Sequence, residues 1–589
     1  MTFNLLRTTF ATAVLCTVAG IGALGQQGRG SAQPPAADWP MHNRDVRSTR
    51  YSPLDEINAS NVDRLAVKWS FQPTGGLNIS SITPLVVDGV MFFNSGSQLF
   101  ALDAATGKET WTFRADPPFR GSSGRGPVYG DGRIYAFGNS DLFAVDAKTG
   151  KPVPSFGKGG VVPIVRDALR LKYPGKYAAD FDPTTVGYSM TTPPSYFNGT
   201  LYLGMPFSDS LLPGGLVVAV DGLTGAIKWV FNTVPQGPQD DGWEITKNSF
   251  SGARYGAGIW VQPAIDPELG LIYVNTGNAT PNYDGSSRKG MNLFTNSVLA
   301  LRLDTGRLAW YFQAIHHDIW DWDLAAGPVL FDTTVDGRTI KGLGSLGKNC
   351  HAYFFDRETG KPLNPIVETA MPTQTDVPGE EVWPTQPIPY TSSGLPLMPF
   401  CSTYPIVKDP ELAKRVRPSY HPYQVNEFVI TAPGNTGGSN YGSPSFSPRT
   451  GLFYATGKND AWSIKVKPVG DTLKPGPGNQ GHFGVIGERA DTGVTPTQAL
   501  TAYEPATGRQ VWYVELPGTT NGGNLVTAGD LVFQPSGMDL FAVDARSGKQ
   551  LFRYELKRSV RASPLTYQAG GRQYVAIVAA NTVTALALP

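Results

Sequence analysis

A repeated sequence pattern constrains the fold of this 589-residue chain more than any other feature. The pattern is an apolar pair, Ala-x-Asp, two further residues, Thr-Gly or Ser-Gly, and an aromatic residue four positions after the Gly, and single positions of it vary between copies. The seven full copies span 99–113, 142–156, 217–231, 298–312, 352–366, 500–514 and 540–554. A truncated relative at 62–71 makes eight. Repeated units of this kind bury their apolar faces against one another.

Each copy is typical of a β-hairpin. The alternating apolar run predicts a half-buried strand, and D-x-x-T-G predicts an Asx-type turn in which Gly adopts a positive φ. The Ala is present in six of the seven full copies. The aromatic residue is Trp in four of them: Trp111, Trp229, Trp310 and Trp512. We infer that each indole lies against the small Ala of a neighbouring unit. Such docking arranges sheets radially, so the predicted fold is all-β, an eight-bladed β-propeller.

The spacing between the copies is uneven and predicts insertions. The main ones fall at 155–190 and 366–425, which are rich in Pro, and we expect them to form loops over one face of the ring. The ring closes if the N-terminal strands lie beside the last unit. The predicted propeller, 38–589, is then one domain.

Composition and motifs exclude several classes of function. Lys and Arg number 49 against 48 Asp and Glu, and a formal charge of +1 gives no electrostatic footprint for nucleic acid. The three Cys include no C-x-x-C-H motif, so the chain carries no covalent haem. A G-x-S-x-G elbow after a strand, H-E-x-x-H and a P-loop are also missing from the sequence.

The N-terminus has the pattern of a secretory signal. Arg7 precedes an apolar run at 8–25, and a stretch of small residues follows. We therefore predict a signal peptide at 1–32 and a periplasmic protein, with a retained membrane anchor as the alternative. Export places Cys350 and Cys401 in an oxidising compartment, where they can pair or stay separate thiols.

Four places along the chain resemble the PQQ-dependent (quinoprotein) dehydrogenases, in the order in which that family has them. They are the opening at 38–71, IWVQPAIDPELGLIYVNTGNATP at 259–281, AIHHDIWDWDLAAGPVL at 314–330, and the C-terminal segments 527–533 and 563–580. The Trp-containing repeat is similar as well. The resemblance implies an eight-bladed propeller that holds pyrroloquinoline quinone (PQQ) at its central axis with a Ca²⁺ ion.

Two residues match catalytic positions of that family. Asp321, in His-His-Asp-Ile-Trp-Asp-Trp-Asp, matches the base that accepts the proton of a substrate hydroxyl. Lys348, in Gly-Lys-Asn, matches the cation beside the quinone carbonyls, where it binds the cofactor and stabilises charge. Adjacent residues on a strand point to opposite faces, so His316 and His317 do not suit one shared ion. With Asp318 they are interpreted as structural hydrogen-bonding residues.

The resemblance also implies residues for the cofactor and the metal ion. Trp260 matches the indole on which the planar quinone lies. The other implied cofactor contacts are Arg125, Asn435 and Asn521. The implied metal ligands are Asn278, Asp321, Asp323 and Asp209. Amide and carboxylate oxygens suit a hard cation.

The sequence departs from the methanol-oxidising members of the family. Ser122 and Ser123 stand where those members have a vicinal disulfide. Their metal-binding Glu has no counterpart here, and Asp209 is the nearest carboxylate. Their second active-site Glu corresponds to a position near Ser81 and is also lost. In these features the sequence resembles the glucose-dehydrogenase branch of the family more than the methanol-oxidising members. Asp323 completes a D-x-D arrangement that resembles lanthanide-using members, so the ion is open between Ca²⁺ and a lanthanide.

The predicted function is oxidation of an alcohol, polyol or sugar to the aldehyde, ketone or lactone. Electrons then pass from reduced PQQ to a soluble cytochrome c or a membrane quinone, and association with the membrane is left open. Two alternatives are kept. One is a lanthanide-dependent alcohol dehydrogenase of the same family, and the other is a non-catalytic propeller scaffold with a degenerate site.

Overall fold

The computed structural model describes most of the chain. The described residues are 33–75, 77–96, 98–115, 124–138, 140–188, 190–205, 211–397, 401, 406–472, 481–488 and 492–589. The predicted signal peptide at 1–32 lies outside these residues. So do Ser122, Ser123 and the predicted metal ligand Asp209.

Strands dominate the described chain, and eight of its sheets are the blades of a propeller. Blade 1 contains Leu85–Val87, Val90–Ser95, Gln98–Asp103 and Glu109–Arg114. Blade 2 contains Val128–Gly130, Arg133–Gly138, Asp141–Asp146 and Val161–Val162. Blade 3 contains Ser195–Phe197, Thr200–Met205, Leu216–Asp221 and Ile227–Asn232. Blade 4 contains Ala264–Asp266, Leu271–Asn275, Ser297–Arg302 and Leu308–Gln313.

The second half of the ring has the same plan, with one shorter and one longer sheet. Blade 5 contains Val329–Val335, Arg338–Leu346 and Ala352–Asp356. Blade 6 contains Ser445–Ser447, Leu452–Asn459, Thr497–Glu504 and Arg509–Pro517. Blade 7 contains Leu525–Thr527, Leu531–Ser536, Asp539–Asp544, Gln550–Glu555 and the added strand Tyr51–Ser52. Blade 8 contains Leu565–Ala569, Arg572–Ala579, Thr582–Ala587 and Ala66–Phe71.

Blade 8 closes the ring by joining the two ends of the chain. Ala66–Phe71 runs antiparallel to Thr582–Ala587, and Trp69 lies opposite Ala585. First strands of neighbouring blades also contact one another, so they surround the axis. The eight-bladed fold and the closure by N-terminal strands are confirmed, and the truncated sequence copy is the outer strand of blade 8.

The D-x-x-T-G turns form because the Asp side chain satisfies the turn backbone. In blade 1, Asp103 Oδ1 accepts the N–H groups of Ala105 and Thr106 and the Thr106 hydroxyl. Gly107 ends the turn at φ +72°, a left-handed conformation that glycine adopts without a Cβ clash. The same Asp contacts recur in the turns of blades 2, 3 and 7.

Five indoles join neighbouring blades, but their partner differs from the one expected. The Trp69 ring lies on Gly107 of the next blade, where a Cβ would stand 2.5 Å from the indole. Its Nε1 donates to the Ala104 carbonyl at 3.1 Å. The indoles of blades 1, 3, 4 and 6 repeat both contacts. The repeat Ala instead lies opposite the Trp of its own blade, as Ala101 lies opposite Trp111. The indole packs on the turn Gly and not on the Ala, because only a residue without a Cβ lets the flat ring approach the turn backbone.

Two copies without Trp join their neighbours differently. After the turn of each of these copies, the backbone pairs with the preceding strand through an isolated bridge, at Pro152 and at Pro362. Proline cannot donate to the ladder of hydrogen bonds, so no regular strand forms there. Val162 packs on the turn glycine of blade 3, and Leu397 packs on that of blade 6. Aliphatic side chains therefore replace the indole where the outer strand is broken.

The insertions are more ordered than the loops predicted for them. The interval 155–190 contains the helix Ile164–Lys172, which buries Ile164, Val165, Ala168 and Leu169 along one face. The interval 366–425 contains the hairpin Ile366–Ala370 with Thr385–Pro389. An unpredicted sheet follows, made of Val429–Thr431, Trp462–Thr472 and Gly481–Glu488.

The remaining elements are short. The other strands are Ser251–Gly252, Tyr255–Gly256, Ala279–Thr280 and Arg288–Lys289. The short helices are Val62–Arg64, Pro183–Val186, Trp243–Thr246 and Pro410–Ala413. Within the described residues, none of the helices has the length and apolar character needed to span a bilayer.

Indole docking can be tested at two turn glycines of blade 1. Gly107 and Gly89 both have positive φ, but only Gly107 faces an indole, and nothing lies within 4 Å of a Cβ at Gly89. We expect Gly89→Ala to lower the free energy of unfolding by about 1 kcal/mol through backbone strain. Gly107→Ala should cost a further ~1–3 kcal/mol because its Cβ displaces the ring. Guanidinium unfolding followed by tryptophan fluorescence measures both, and equal losses would contradict the docking account.

Candidate active site

Polar side chains from neighbouring blades meet at one end of the propeller axis. Asn278 follows the second strand of blade 4, Lys348 follows the second strand of blade 5, and Lys458 lies at the end of the second strand of blade 6. Corresponding strands of a propeller run in the same direction, so these ends lie on one face. All three side chains are buried.

The centre of this site is a buried ammonium between two carboxylates. Lys348 Nζ lies 3.2 Å from Asp321 Oδ1 and 2.5 Å from Asp323 Oδ2, and it also donates to the Asp321 carbonyl at 2.9 Å. The three residues are 1–8% exposed. Burying these charges is tolerable because they are paired and hydrogen-bonded.

Asp323 links this ammonium to two further predicted residues. The backbone N–H of Asn278 donates to Asp323 Oδ1 at 2.8 Å, and the side-chain Nδ2 of Asn278 donates to the Ala279 carbonyl at 2.8 Å. Gly277 lies between Asp323 and Trp260, where a Cβ would stand 2.5 Å from the indole and 2.8 Å from Asp323 Oδ1. Glycine at this position lets the indole and the carboxylate approach the same backbone.

Arg125 extends the site beyond Trp260. Its guanidinium donates to the Trp260 carbonyl and lies over the Tyr441 ring, 4.2 Å from the ring centre. Burial lowers the pKa of Arg125 to about 10, which leaves it charged at neutral pH. The Tyr441 hydroxyl in turn lies 3.4 Å from the hydroxyl of Ser81, the residue near which the second Glu of the methanol-oxidising members is lost.

Tyr283 links Asn435 to Asp321, and it was not identified as a site residue from the sequence. Its hydroxyl donates to Asp321 Oδ2 at 3.2 Å and accepts from Asn435 Nδ2 at 3.3 Å. The other amide atom, Asn435 Oδ1, is buried without a hydrogen-bond partner. A buried oxygen of this kind can accept a hydrogen bond from a bound molecule.

Lys458 was also missed, and it holds the predicted residue Asn521. Its Nζ donates to Asn521 Oδ1 at 3.0 Å and to the Thr436 carbonyl at 3.3 Å. Gly-Lys-Asn occurs at both 347–349 and 457–459, at the same strand end of adjacent blades. That repeated tripeptide is the signal that could have found Lys458.

A turn at 434–438 connects these residues. The Gly434 carbonyl accepts from Trp322 Nε1 at 3.1 Å, the Gly438 N–H donates to the Lys348 carbonyl at 2.8 Å, and the Gly438 carbonyl accepts from the Lys458 N–H at 3.1 Å. Cys350 and Cys401 form a disulfide directly against Gly438. The pairing that the sequence left open therefore supports the segment between the two lysines.

The neighbouring histidines are structural hydrogen-bonding residues, as predicted. His316 contacts Glu368 and Gln313, whereas His317 contacts Glu380 and the Gly290 carbonyl. They lie in a bend after the strand and not within one, but their ring nitrogens still face different partners. In the part of the chain that is described, no three His, Cys, Asp or Glu side chains are grouped to hold a metal ion.

The donor set nevertheless fits a metal ion with a second ligand molecule. Asp321, Asp323 and the Asn278 side chain carry hard oxygens and are buried, and a bound cofactor can complete the coordination. The cationic side chains of Arg125, Lys348 and Lys458 suit an anionic cofactor. Asp209 lies outside the described residues, so its part in such a site stays a prediction.

His351 lies three residues after Lys348 and is buried against Tyr353 and Tyr420. Burial lowers its pKa to about 4, because the imidazolium would lose its hydration without gaining a carboxylate. His351 is therefore neutral in the folded protein at neutral pH. Protonation of His351 therefore lowers the free energy of unfolding, because the folded protein binds that proton less readily than the unfolded chain.

Comparison with known proteins identifies the family. The model for PQQ-dependent "glucose/ethanol/alcohol dehydrogenase, beta-propeller domain" matches residues 39–485 and 517–575, which is more than half of the chain. The chain belongs to this family of PQQ-dependent dehydrogenases, which are oxidoreductases.

Individual relatives agree with this assignment. Quinohemoprotein alcohol dehydrogenase ADH IIB of Pseudomonas putida is 30% identical over 602 residues, covering 98% of this chain and 78% of that protein. The glycerol dehydrogenase large subunit of Gluconobacter thailandicus is 29% identical over 643 residues, covering 93% and 84%. The solved structure of quinohemoprotein alcohol dehydrogenase ADHIIG from Pseudomonas putida HK5 matches with a TM-score of 0.72 at 25% identity, covering 94% and 80%. The resemblance inferred from the sequence is confirmed.

The low pKa of His351 predicts a loss of stability in acid. An unfolded His binds a proton below its ordinary pKa of 6.5, whereas folded His351 does so only near 4. Stability should therefore fall as pH drops from 6.5 to 4, by roughly 3 kcal/mol from this residue. We expect His351→Gln to flatten the dependence of the unfolding midpoint on pH between 7 and 4.5. An identical slope in wild type and variant would contradict it.

Proposed function

We propose that this chain is a periplasmic PQQ-dependent dehydrogenase that oxidises the CH–OH group of an alcohol, polyol or sugar. The observation that carries the proposal is the buried contact of Lys348 with Asp321 and Asp323 at the propeller axis. Family membership supports this reaction class, since relatives are named as alcohol, glycerol and glucose dehydrogenases. In this proposal residues 1–32 are the signal peptide and 38–589 form the propeller.

The cofactor would lie against Trp260. When bound with its metal ion, PQQ supplies a quinone carbonyl that accepts hydride from the substrate carbon. The Trp260 indole offers a flat apolar face to the quinone ring, and Arg125 beside it suits a cofactor carboxylate. Lys348 would bind at the carbonyl edge, with Asn435 and Asn521 at the rim.

Asn278, Asp321 and Asp323 would hold the metal ion, with Asp209 as a further candidate ligand. Ca²⁺ suits this oxygen set. A lanthanide is the second candidate, because Asp323 adds a buried carboxylate whose negative charge can help to balance a trivalent ion. Its contact with Lys348 Nζ at 2.5 Å offsets part of that charge. The identity of the ion separates the two versions of the proposed enzyme.

Asp321 would accept the hydroxyl proton of the substrate at its carboxylate. Tyr283 donates to Oδ2 and Lys348 donates to Oδ1, so both oxygens have fixed directions. Fixed direction matters because proton transfer requires the acceptor within hydrogen-bond reach of the hydroxyl. Lys348 would also stabilise the negative charge that develops on the quinone carbonyl oxygen beside it.

In the proposed reaction, the electrons of the reduced cofactor would pass to a second molecule. The sequence has no haem-attachment motif, so we propose a cytochrome c or a membrane quinone as the acceptor. Either one is consistent with a protein that works outside the cytoplasm.

Dye-linked dehydrogenase activity of the purified protein with PQQ tests the proposal. We expect turnover of at least one short alcohol, polyol or aldose with Ca²⁺ or La³⁺. Asp321→Asn should lower kcat by about 10²–10⁴-fold, because the amide cannot accept the proton. Lys348→Met should lower it by about 10²–10³-fold, because a buried donor to the developing charge is lost.

Asp304→Asn is the matched control. Asp304 is exposed in the blade 4 turn, and its substitution should leave kcat unchanged. Turnover that is lost equally in Asp304→Asn and Asp321→Asn would contradict the assignment of Asp321. Lack of both PQQ binding and turnover with either ion would favour a scaffold with a degenerate site.

A further inference from the structure

Asp318 is a buried carboxylate that the proposed chemistry does not use. It lies three residues before Asp321 and has no exposed surface. Its Oδ1 accepts the Trp320 N–H at 2.8 Å, and its Oδ2 accepts the Trp322 N–H at 2.8 Å. The carboxylate therefore faces the backbone of the segment that carries Asp321.

These two hydrogen bonds fasten the residues on both sides of Asp321. The segment between them turns sharply, and Asp321 itself adopts φ +63°, in the left-handed region. A non-glycine residue costs on the order of 1 kcal/mol there, so neighbouring contacts must hold it. The turn leaves the Asp321 side chain directed at Lys348 and Tyr283.

Asp318 is itself held from two sides. Asn296 Nδ2 donates to Asp318 Oδ2 at 2.8 Å and to the Trp322 carbonyl at 3.2 Å. The buried Arg288 donates to the Asp318 carbonyl at 2.6 Å and is fixed by the Asn292 side chain, also at 2.6 Å. The carboxylate is thus a fixed anchor and not a mobile side chain.

We propose that Asp318 is a positioning residue that sets the orientation of Asp321 for proton transfer. The inference rests on the proposed function, because it assigns Asp318 a role in the same reaction. Its carboxylate supplies two acceptor oxygens to two backbone donors, and an amide can supply only one. Asp318→Asn therefore leaves one N–H beside Asp321 facing an NH₂ group, with almost no change in volume.

Asp266 provides a matched control for a carboxylate that only stabilises the fold. It is equally buried, and its Oδ1 accepts the backbone N–H groups of Glu268 and Leu269 while Oδ2 pairs with Arg357. It ends the first strand of blade 4, which is antiparallel to the strand that leads to Asn278. Asp266 therefore lies at the opposite end of the blade from the site.

The test compares Asp318→Asn and Asp266→Asn in the PQQ-reconstituted enzyme. We expect Asp318→Asn to lower kcat by about 10²-fold with substrate KM changed less than threefold, because small displacements of a catalytic group have costs of that size. Asp266→Asn should lower the unfolding midpoint and leave kcat within twofold. Asp318→Asn should cost nothing further in an Asp321→Asn background, since the group that it positions has lost its function.

Amide hydrogen exchange of the segment 318–323 gives a readout that does not depend on turnover. Asp318→Asn should increase exchange in this segment, whereas Asp266→Asn should not. Unchanged kcat in Asp318→Asn, or an equal loss in the Asp321→Asn background, would overturn the proposal. If the wild type shows no turnover, the proposed function fails, and the exchange data still decide whether Asp318 orders the turn.

Discussion

Contact between a flat indole and a turn glycine fixes the position of a blade relative to the next at five places around the ring. Trp69 on Gly107 and Trp111 on Gly150 show the arrangement, with an indole N–H bonded to a turn carbonyl in each case. The ring contact and the hydrogen bond together specify both distance and orientation. The side chains at the axis depend on how the blades are spaced, because those side chains come from different blades.

The spacing of the blades places the ends of three second strands, from consecutive blades, at the same end of the propeller axis. Blade 4 contributes Asn278, blade 5 contributes Lys348, and blade 6 contributes Lys458. The loop after blade 4 adds Asp321 and Asp323, which pair with Lys348. The disulfide and the segment 434–438 then hold the loops of blades 5 and 6 together. A propeller gives this chain a rigid frame on which unlike side chains converge.

The repeat was sufficient to predict the fold because its period encodes the hairpin, the turn and the docking residue together. It did not reveal which small residue receives the indole, since Ala and Gly both recur among the copies and only the register of the strands separates them. The helix Ile164–Lys172 was missed because prolines flank a short amphipathic stretch inside an insertion.

The candidate site was predictable where a residue lies in a family-like motif, as Asp321, Lys348 and Trp260 do. Tyr283 could not be predicted in the same way, because its contact with Asp321 joins residues 38 apart through loop geometry. Lys458 had a signal in the repeated Gly-Lys-Asn, which becomes informative only when both copies are placed at the same strand end. Sequence motifs thus name the residues to which the proposed function assigns the chemistry, and packing determines which further residues contact them.

The central claim is that the axial cluster of Asp321, Asp323 and Asn278 binds a metal ion beside a quinone held by Trp260. Anomalous diffraction from crystals of the protein with PQQ and a lanthanide or Ca²⁺ tests it most directly. The account predicts an ion about 2.3–2.6 Å from oxygens of these three residues, with the quinone ring on the Trp260 indole. An ion and a cofactor located elsewhere, or neither bound at the axis, would contradict it.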